Sequence, residues 1–371
     1  MRICMVAFTD LNFDYRIYRE ATSLLRAGHQ VVIVASSFNP APLKGWDDFE
    51  IHPIPLDRSR SLRRLYPLFW QRAYPLLVDT HPDAYHAHDL DSLWPAVRAA
   101  QRLDRPIVYD AHEFWTEQSS LVNRPLMRSC WRLLEKRLIR RVDRVITVSG
   151  SIAQSLKERY RLDEVVVLRN LPLFRHKVQS NLIRETLELP DDRPIVLYQG
   201  GFLTENGLRE QIEAAAGLTA ALVLIGDGPS EQALRNQVRA AGLDDRVYFI
   251  PRVPFHQLHN YTCSADLGLC LIKGTGKSFY YSLPNKLFEY MMAGLPILAS
   301  NFPEMQRIVH ETRTGATVDP TDIAAIREQI AAFLDNAEQR ETCVKASLQA
   351  AQHYNWERES VQLTELYESL A

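Results

Sequence analysis

The sequence has no apolar run near the roughly 20 residues that a membrane-spanning helix needs, which excludes a helical membrane protein. It has only five cysteines, at positions 4, 130, 263, 270 and 343, and none in CxxC spacing. That scatter excludes a disulfide scaffold and a clustered zinc site, and fits free thiols in a reducing, cytoplasmic compartment. A charge excess is also missing: 43 Lys and Arg stand against 45 Asp and Glu, a net −2. Nucleic acid is therefore not an expected partner, because phosphate-backbone binding leaves a strong basic surplus. Neither GxGxxG nor GxxxxGK[ST] occurs, which excludes the dinucleotide fingerprint and the P-loop. The opening "ICMVAF" is too short for a signal-peptide core and is closed by Asp10, so a first strand is expected to begin at the mature terminus.

What is present is ordinary in bulk and ordered in detail. Hydrophobic residues make up 46% and charged residues 24% of 371, enough for two globular domains. Strand-like apolar runs alternate with amphipathic helical patterns, as in parallel sheets covered by helices. The first half offers "RICMVAF", "QVVIVAS", "DAYHAHD", "RPIVYDA" and "RVITVS"; the second offers "RPIVLYQGG", "ALVLIGDGP", "RVYFIP", "ADLGLCLI" and "LPILAS". Residues 15–27 predict a helix closed by Gly28, and "DLDSLWPAVRAAQRL" predicts another with Pro95 in its first turn or at a kink. Ser149 and Ser151 offer caps for the helix after "RVITVS". The expected fold class is α/β with two Rossmann-like doubly wound lobes: residues 1–172, residues 173–355, and a terminal helix over 356–371 returning to the first lobe. The hinge is expected near 172–180, and the ligand cleft where the carboxyl ends of the strands face each other.

Those strand ends carry the unusual chemistry. "LYQGGFLTENG" and "LIGDGPS" place glycines after strands, where backbone N–H groups can approach phosphate; simple turn formation is the competing reading. In "YYSLPNKLFEYMMAGLP", Ser282 is the expected cap of a helix whose Asn285 and Glu289 lie four apart on one face. A carboxylate accepts two bonds side by side and so matches the cis-diol of a ribose, while Lys286 and the helix amino end favour an anion. A solvated helix face is the alternative. In the first half, "HAHD" (86–89), "YDAHE" (109–113) and the loop "FTDLNFDYR" end strands with histidines and carboxylates suited to orienting a hydroxyl. A metal on His86, His88 and His112 lacks a locally fixed third ligand, and satisfied structural histidines are the plainer reading.

"YYSLPNKLFEYMMAGLPILAS" followed by "NFPE", together with "YQGG", "GDGP", "DRVITVS" and "AHDL", resembles the family 4 glycosyltransferases. The resemblance runs from "DYRIYREATSLLRAGHQVVIV" to "YNWERE" and implies the two-lobed GT-B fold and transfer with retention of anomeric configuration, with no metal required. It implies that Glu289 binds the donor ribose, that Asn285, Lys286 and Leu287 meet the diphosphate, and that His112 lies near the transferred sugar, with His112 and Glu289 as the catalytic pair. Gly200, Gly201, Asn206 and Gly228 would line the donor loops, and Arg252 and Val253 the nucleobase. Lys273 and Lys277, in the basic loop 273–280, join the donor set, and Asp14, Arg16, His88, Asp89 and Glu113 become the acceptor set. The chain departs from the family pattern at Tyr281, where a first glutamate is usual, and at Pro284, where glycine is common. It departs again at Phe202 and Asn206, where two phosphate-binding cations are usual. Arg209, Lys273, Lys277 and Lys286 are the candidates to replace them.

Residues 56–77 and 128–141 mix basic with aromatic and leucine residues, which suits peripheral contact with an anionic membrane at its inner face; a solvated basic face is the equal alternative. The function expected is a retaining, metal-independent transfer of sugar from a nucleotide-sugar donor to a glycan, lipid-linked or small-molecule acceptor, in cell-envelope or exported polysaccharide or glycolipid synthesis. The alternatives are a nucleotide-sugar epimerase or hydrolase on the same fold, and a catalytically degenerate binding subunit. Oligomeric state is not legible in the sequence.

Overall fold

The computed structural model describes residues 1–12, 14–38, 45–274 and 276–370. Phe13 of the loop "FTDLNFDYR" and Thr275 of the loop 273–280 lie outside the described residues. The chain divides into two compact units, one comprising Met1–Arg169 and the segment from Glu359, the other Asn170–Arg358.

The N-terminal unit carries β1 (Arg2–Ala7), β2 (Gln30–Ser37), β3 (Glu50–Pro55), β4 (Ala84–His88), β5 (Ile107–Ala111), β6 (Arg144–Thr147) and β7 (Val166–Val167). They pair in parallel in the order β3-β2-β1-β4-β5-β6-β7. The other unit carries β8 (Ile195–Gln199), β9 (Ala221–Ile225), β10 (Val247–Ile250), β11 (Leu267–Cys270), β12 (Ile297–Ser300) and β13 (Gly315–Val318). Their order is β10-β9-β8-β11-β12-β13, again parallel. Strand order reverses direction between β1 and β4 and between β8 and β11, and crevices open at such switch points.

Alternation along β8 shows why these runs are continuously apolar. Ile195 and Leu197 join one buried cluster while Val196 and Tyr198 join another, so both faces of the sheet are covered. Sequence patterning missed three strands. Edge strand β3 carries Pro53 and Pro55, which an edge tolerates, β7 has two residues, and β13 has four.

Local chemistry sets the helix ends. Asp14 caps helix Tyr15–Arg26 by accepting from the Ile17 N–H, and Ser149, not Ser151, caps Gly150–Tyr160 by accepting from Ile152. Pro95 lies in the interior of the continuous helix Asp89–Leu103, not in its first turn. Proline lacks the N–H that the carbonyl four residues back would accept from, and the Trp70 indole donates to that Asp91 carbonyl at 2.5 Å.

The basic-aromatic segments both prove to be largely helical. Helix Leu62–Asp79 buries Leu65, Phe69, Ala73 and Leu77. Its Tyr66 packs edge-on against Trp131 of helix Pro125–Leu138 at 5.2 Å, so these aromatics serve the interior. The terminal helix Trp356–Glu368 contributes Glu359, which accepts from the Arg169 backbone N–H at 2.7 Å, and buried Tyr367 to the N-terminal unit.

Candidate active site

In the second unit the site grows from the carboxyl end of β8. Helix Asn285–Met292 is anchored by Tyr290, fully buried, whose hydroxyl accepts from the Gln199 N–H at 3.2 Å. Its ring occupies the place a side chain at Gly268 would fill. With that anchor set, Glu289 and Lys286 both reach the end of β8. Glu289 Oε2 accepts from Gln199 Nε2 at 2.5 Å, and Gln199 Oε1 accepts from the Thr262 hydroxyl at 2.7 Å. Lys286 Nζ lies 3.9 Å from the centre of the Tyr198 ring and would stand 3.2 Å from a Cβ on Gly200, so its ammonium is held over the glycine loop.

Several expected donor contacts are corrected by this geometry. Ser282 does not cap the helix; its hydroxyl donates to the Phe279 carbonyl, and Pro284 occupies the cap position. Leu287 is a core residue whose N–H donates to the Pro284 carbonyl, which removes it from the diphosphate contacts. Asn206 staples its own loop by donating to the Gly201 carbonyl at 2.7 Å. Lys273 is paired with Glu210 at 2.7 Å, so an anion would compete with that carboxylate for it. Phe202 is fully buried beside Tyr198 and Phe249, so this position serves the core rather than a ligand. Arg209, Arg252 and Lys277 are exposed, and Val253 packs against the core. Of the four candidate cations, Lys286 is the one whose ammonium is placed at Gly200, while the Lys273 stem lies against Gly207.

The glycines have a packing reason as well. Gly200 has φ +135, and a Cβ on Gly228 would come within 2.7 Å of the Phe202 backbone. A Cβ on Gly226, at φ +151, would overlap the Gly200 carbonyl. Gly226→Ala is therefore expected to cost about 2–3 kcal/mol and lower the melting temperature while splaying the two loops apart. A thermal melt within a degree of the parent would show that the loops yield without strain.

In the N-terminal unit the site sits at the carboxyl ends of β4 and β5. His112 Nε2 lies 3.0 Å from Asp110 Oδ2 and 3.0 Å from His88 Nδ1, and its Nδ1 lies 3.7 Å from Asp89 Oδ2. Burial lowers the basicity of His112, but Asp110 and Asp89 more than offset it and lift its pKa to about 10. At neutral pH it is an imidazolium with two N–H donors. Asp110, buried, is held well below the carboxylate range because Arg16 and His112 outweigh its desolvation. Burial lifts Asp89 to about 7 despite the pull of His112. Asp89 also has φ +62, a left-handed conformation that non-glycine residues adopt at a cost, and it accepts the Glu113 N–H at 3.2 Å.

The acceptor set is thereby redrawn. Asp14 is a helix cap. Arg16 is 4% exposed and committed to Asp110 at 2.9 Å, Glu20 at 2.8 Å and the Leu168 carbonyl at 3.0 Å, so it organises the site from beneath. His88 is buried behind His112. Asp89 is half-buried and Glu113 exposed beside His112, which is itself 16% exposed. Glu20, His86, His88 and Asp110 bring donor atoms within 4.8 Å of one another, a set that excludes His112. Arg16 lies against both carboxylates and supplies positive charge there.

Sequence reasoning missed Asp110 and Glu20, although both were within reach. Asp110 lies two before His112, which follows directly on β5, and Glu20 lies four after Arg16 on a helix. Gln199, Thr262 and Tyr367 left no local signal, since their partners lie 90, 63 and 281 residues away.

Two doubly wound parallel-sheet units are the architecture of the GT-B glycosyltransferases. Solved structures agree on the fold. The sucrose-phosphate synthase of Thermosynechococcus elongatus matches with TM-score 0.84 at 20% identity, covering 100% of this chain and 99% of that one. HepE of Anabaena in complex with UDP matches with TM-score 0.78 at 17% identity, covering 100% of both. Residues 15–171 match Glycosyltransferase Family 4 and residues 179–350 match Glycosyl transferases group 1, and the chain belongs to the family 4 glycosyltransferases. The phosphatidyl-myo-inositol mannosyltransferase of Mycobacterium leprae is 26% identical over 325 residues, 86% of this chain and 82% of that protein.

Proposed function

We propose that this glycosyltransferase uses a nucleotide-sugar donor held on the C-terminal unit, transfers its sugar with retention to an acceptor hydroxyl served by the N-terminal unit, and requires no metal. The observation that carries the reading is the pairing on one helix of Lys286, seated over the Gly200 loop, with Glu289 one turn further along. The ammonium and the first-turn amides of Asn285 and Lys286 suit a diphosphate, and the carboxylate suits the ribose diol. The UDP bound by HepE supports a ligand of this class.

On this reading the anomeric carbon–phosphate oxygen bond breaks while a bond to the acceptor oxygen forms on the same face. The acceptor proton passes to the departing phosphate, whose charge Lys286 stabilises. His112, already protonated, cannot act as a base; it donates to the transferred sugar, and Asp89 and Glu113 receive acceptor hydroxyls. The test is release of nucleoside diphosphate from a panel of nucleotide sugars, with and without glycan and lipid-linked acceptors. Release that needs an acceptor supports transfer. Release without one points to a hydrolase, and nucleotide binding without turnover to a binding subunit.

Helix Pro125–Leu138 exposes Leu126 (84%) and Leu133 (49%) among Arg124, Lys136 and Arg137. Three further arginines, Arg128, Arg132 and Arg159, share the single carboxylate of Glu117 and leave surplus positive charge. This face suits an anionic bilayer and hence an envelope or exported-glycan acceptor. The expected result is co-sedimentation with vesicles rich in anionic lipid, reduced at least fivefold by Leu126→Glu with Leu133→Glu. Equal partitioning of parent and variant would remove the membrane from the reading.

A further inference from the structure

Below His112 lies a buried group of ionisable side chains that the transfer reaction does not touch, and the last helix of the chain reaches into it. Tyr367 is fully buried, and its hydroxyl lies 2.8 Å from His86 Nδ1. His86 stacks on His88 with ring centres 4.4 Å apart, and His88 Nδ1 faces His112 Nε2 at 3.0 Å. On its other side His86 Nε2 points toward Glu20 Oε2 at 3.5 Å and Asp110 Oδ2 at 3.6 Å.

The carboxylates decide the tautomer. With Glu20 and Asp110 oxygens 3.5 and 3.6 Å from Nε2, the ring proton of neutral His86 resides on that nitrogen, which leaves Nδ1 to accept from the Tyr367 O–H. That donation polarises the ring and strengthens the pull of Nε2–H on the carboxylates. Removing the hydroxyl leaves Nδ1 as a buried lone pair without a donor and weakens that pull, which raises the basicity of Asp110 and tightens its hold on the His112 proton.

We propose that Tyr367 is a positioning residue for His112: its hydroxyl holds and polarises His86, whose Nε2 faces the same Asp110 carboxylate as His112, so that a docked C-terminal helix is a condition for a correctly held His112. The value of this arrangement to the enzyme rests on the acceptor role proposed for His112; the linkage itself does not. The groups facing the cluster are Arg16 and Glu20 from helix Tyr15–Arg26, Cys4 from β1, His86 and His88 from β4, and Asp110 from β5. Asp89, Asp91 and Glu113 border it on the His112 side, and His29 lies beside Tyr367. Glu20 is pushed up to about 8 by burial against the pull of Arg16.

Nitrogen NMR of the full chain with labelled histidine, from about pH 5 to 11, tests the linkage without any substrate. In the parent protein His86 is expected as the Nε2–H tautomer. In Tyr367→Phe the Nε2–H form is expected to persist with its Nδ1 resonance moved, and the His112 midpoint to rise by about a quarter of a unit or more. Should transfer activity be established, the alkaline limb of its pH profile is expected to move with it. A parent His86 protonated on Nδ1, or a His112 midpoint unchanged in folded Tyr367→Phe, overturns the proposal. The parent measurement stands even if the variant does not fold. An NMR shift without sugar transfer by the parent would fail the proposed function and leave this linkage intact.

Discussion

Replacing Glu289 with alanine is expected to lower acceptor-dependent nucleoside diphosphate release at least a hundredfold and to weaken nucleoside diphosphate binding by a similar factor. Hydrogen bonds to a charged acceptor contribute about 1.5–3 kcal/mol each, and two of them to a ribose diol correspond to a factor of roughly 10² or more. Because the ribose is remote from the breaking bond, most of the loss is expected in binding rather than in the chemical step. Glu289 Oε2 also accepts from Gln199, which is 2% exposed, and truncation strands that amide. The stability cost is expected to stay near 1–3 kcal/mol, small enough for a folded variant. Glu289→Gln keeps the shape and removes the charge, so it is expected to fall between parent and alanine. Calorimetric titration of Glu289→Ala with nucleoside diphosphates that gives affinities within threefold of the parent would remove the ribose from this carboxylate and the donor site with it.

How much of this was legible in the sequence depends on the distance over which the information is written. The central strands β1, β2, β4 and β5 and their counterparts in the second unit are continuous apolar runs, because helices cover both faces, and such runs need no partner to be recognised. Edge strands β3 and β13 were hidden by proline and by shortness. That Asn285 and Glu289 share one helix, with Lys286 in its first turn, was legible because helical spacing is local. The roles of Lys273, Asn206 and Arg16 were not, since each is decided by a partner: Glu210, the Gly201 carbonyl, and the pair Asp110 and Glu20. A charge read in sequence as a ligand contact can be wholly taken up by a neighbour that only the fold supplies. Phe202 shows the converse. Its departure from the family pattern suggested a lost phosphate cation, but the side chain lies in the core, and Lys286 occupies the loop instead.

Asp110→Asn is expected to destabilise the protein by roughly 3 kcal/mol, because it removes one partner of a buried ion pair while Arg16 stays buried at 4% exposure. Glu20 limits the damage. It is pushed up to about 8 partly by the charge of Asp110, and with that charge gone it ionises more readily and remains 2.8 Å from Arg16. The pH dependence separates the charge from the packing. The folded Asp110 carboxyl sits well below its unfolded value, so its stabilisation is present above about pH 4 and is lost as pH falls further. His112 is raised to about 10 in the fold against about 6.5 unfolded, so its stabilisation is fully present below about pH 6.5 and is lost as pH rises through 10. Asparagine abolishes the first contribution and most of the second, since Asp110 is the larger of the two carboxylate influences on His112. The stability difference between parent and variant is therefore expected to be greatest between about pH 4 and 6.5 and to narrow on either side. Denaturant unfolding at pH 5.5 and pH 10 measures it. In the same variant the His112 midpoint is expected to fall toward neutrality, leaving Asp89 as its remaining close anion at 3.7 Å. A stability difference that stayed constant across that range, with His112 still charged at pH 9, would show that Asp110 acts through shape alone and that the imidazolium beside the acceptor surface owes its proton to another group.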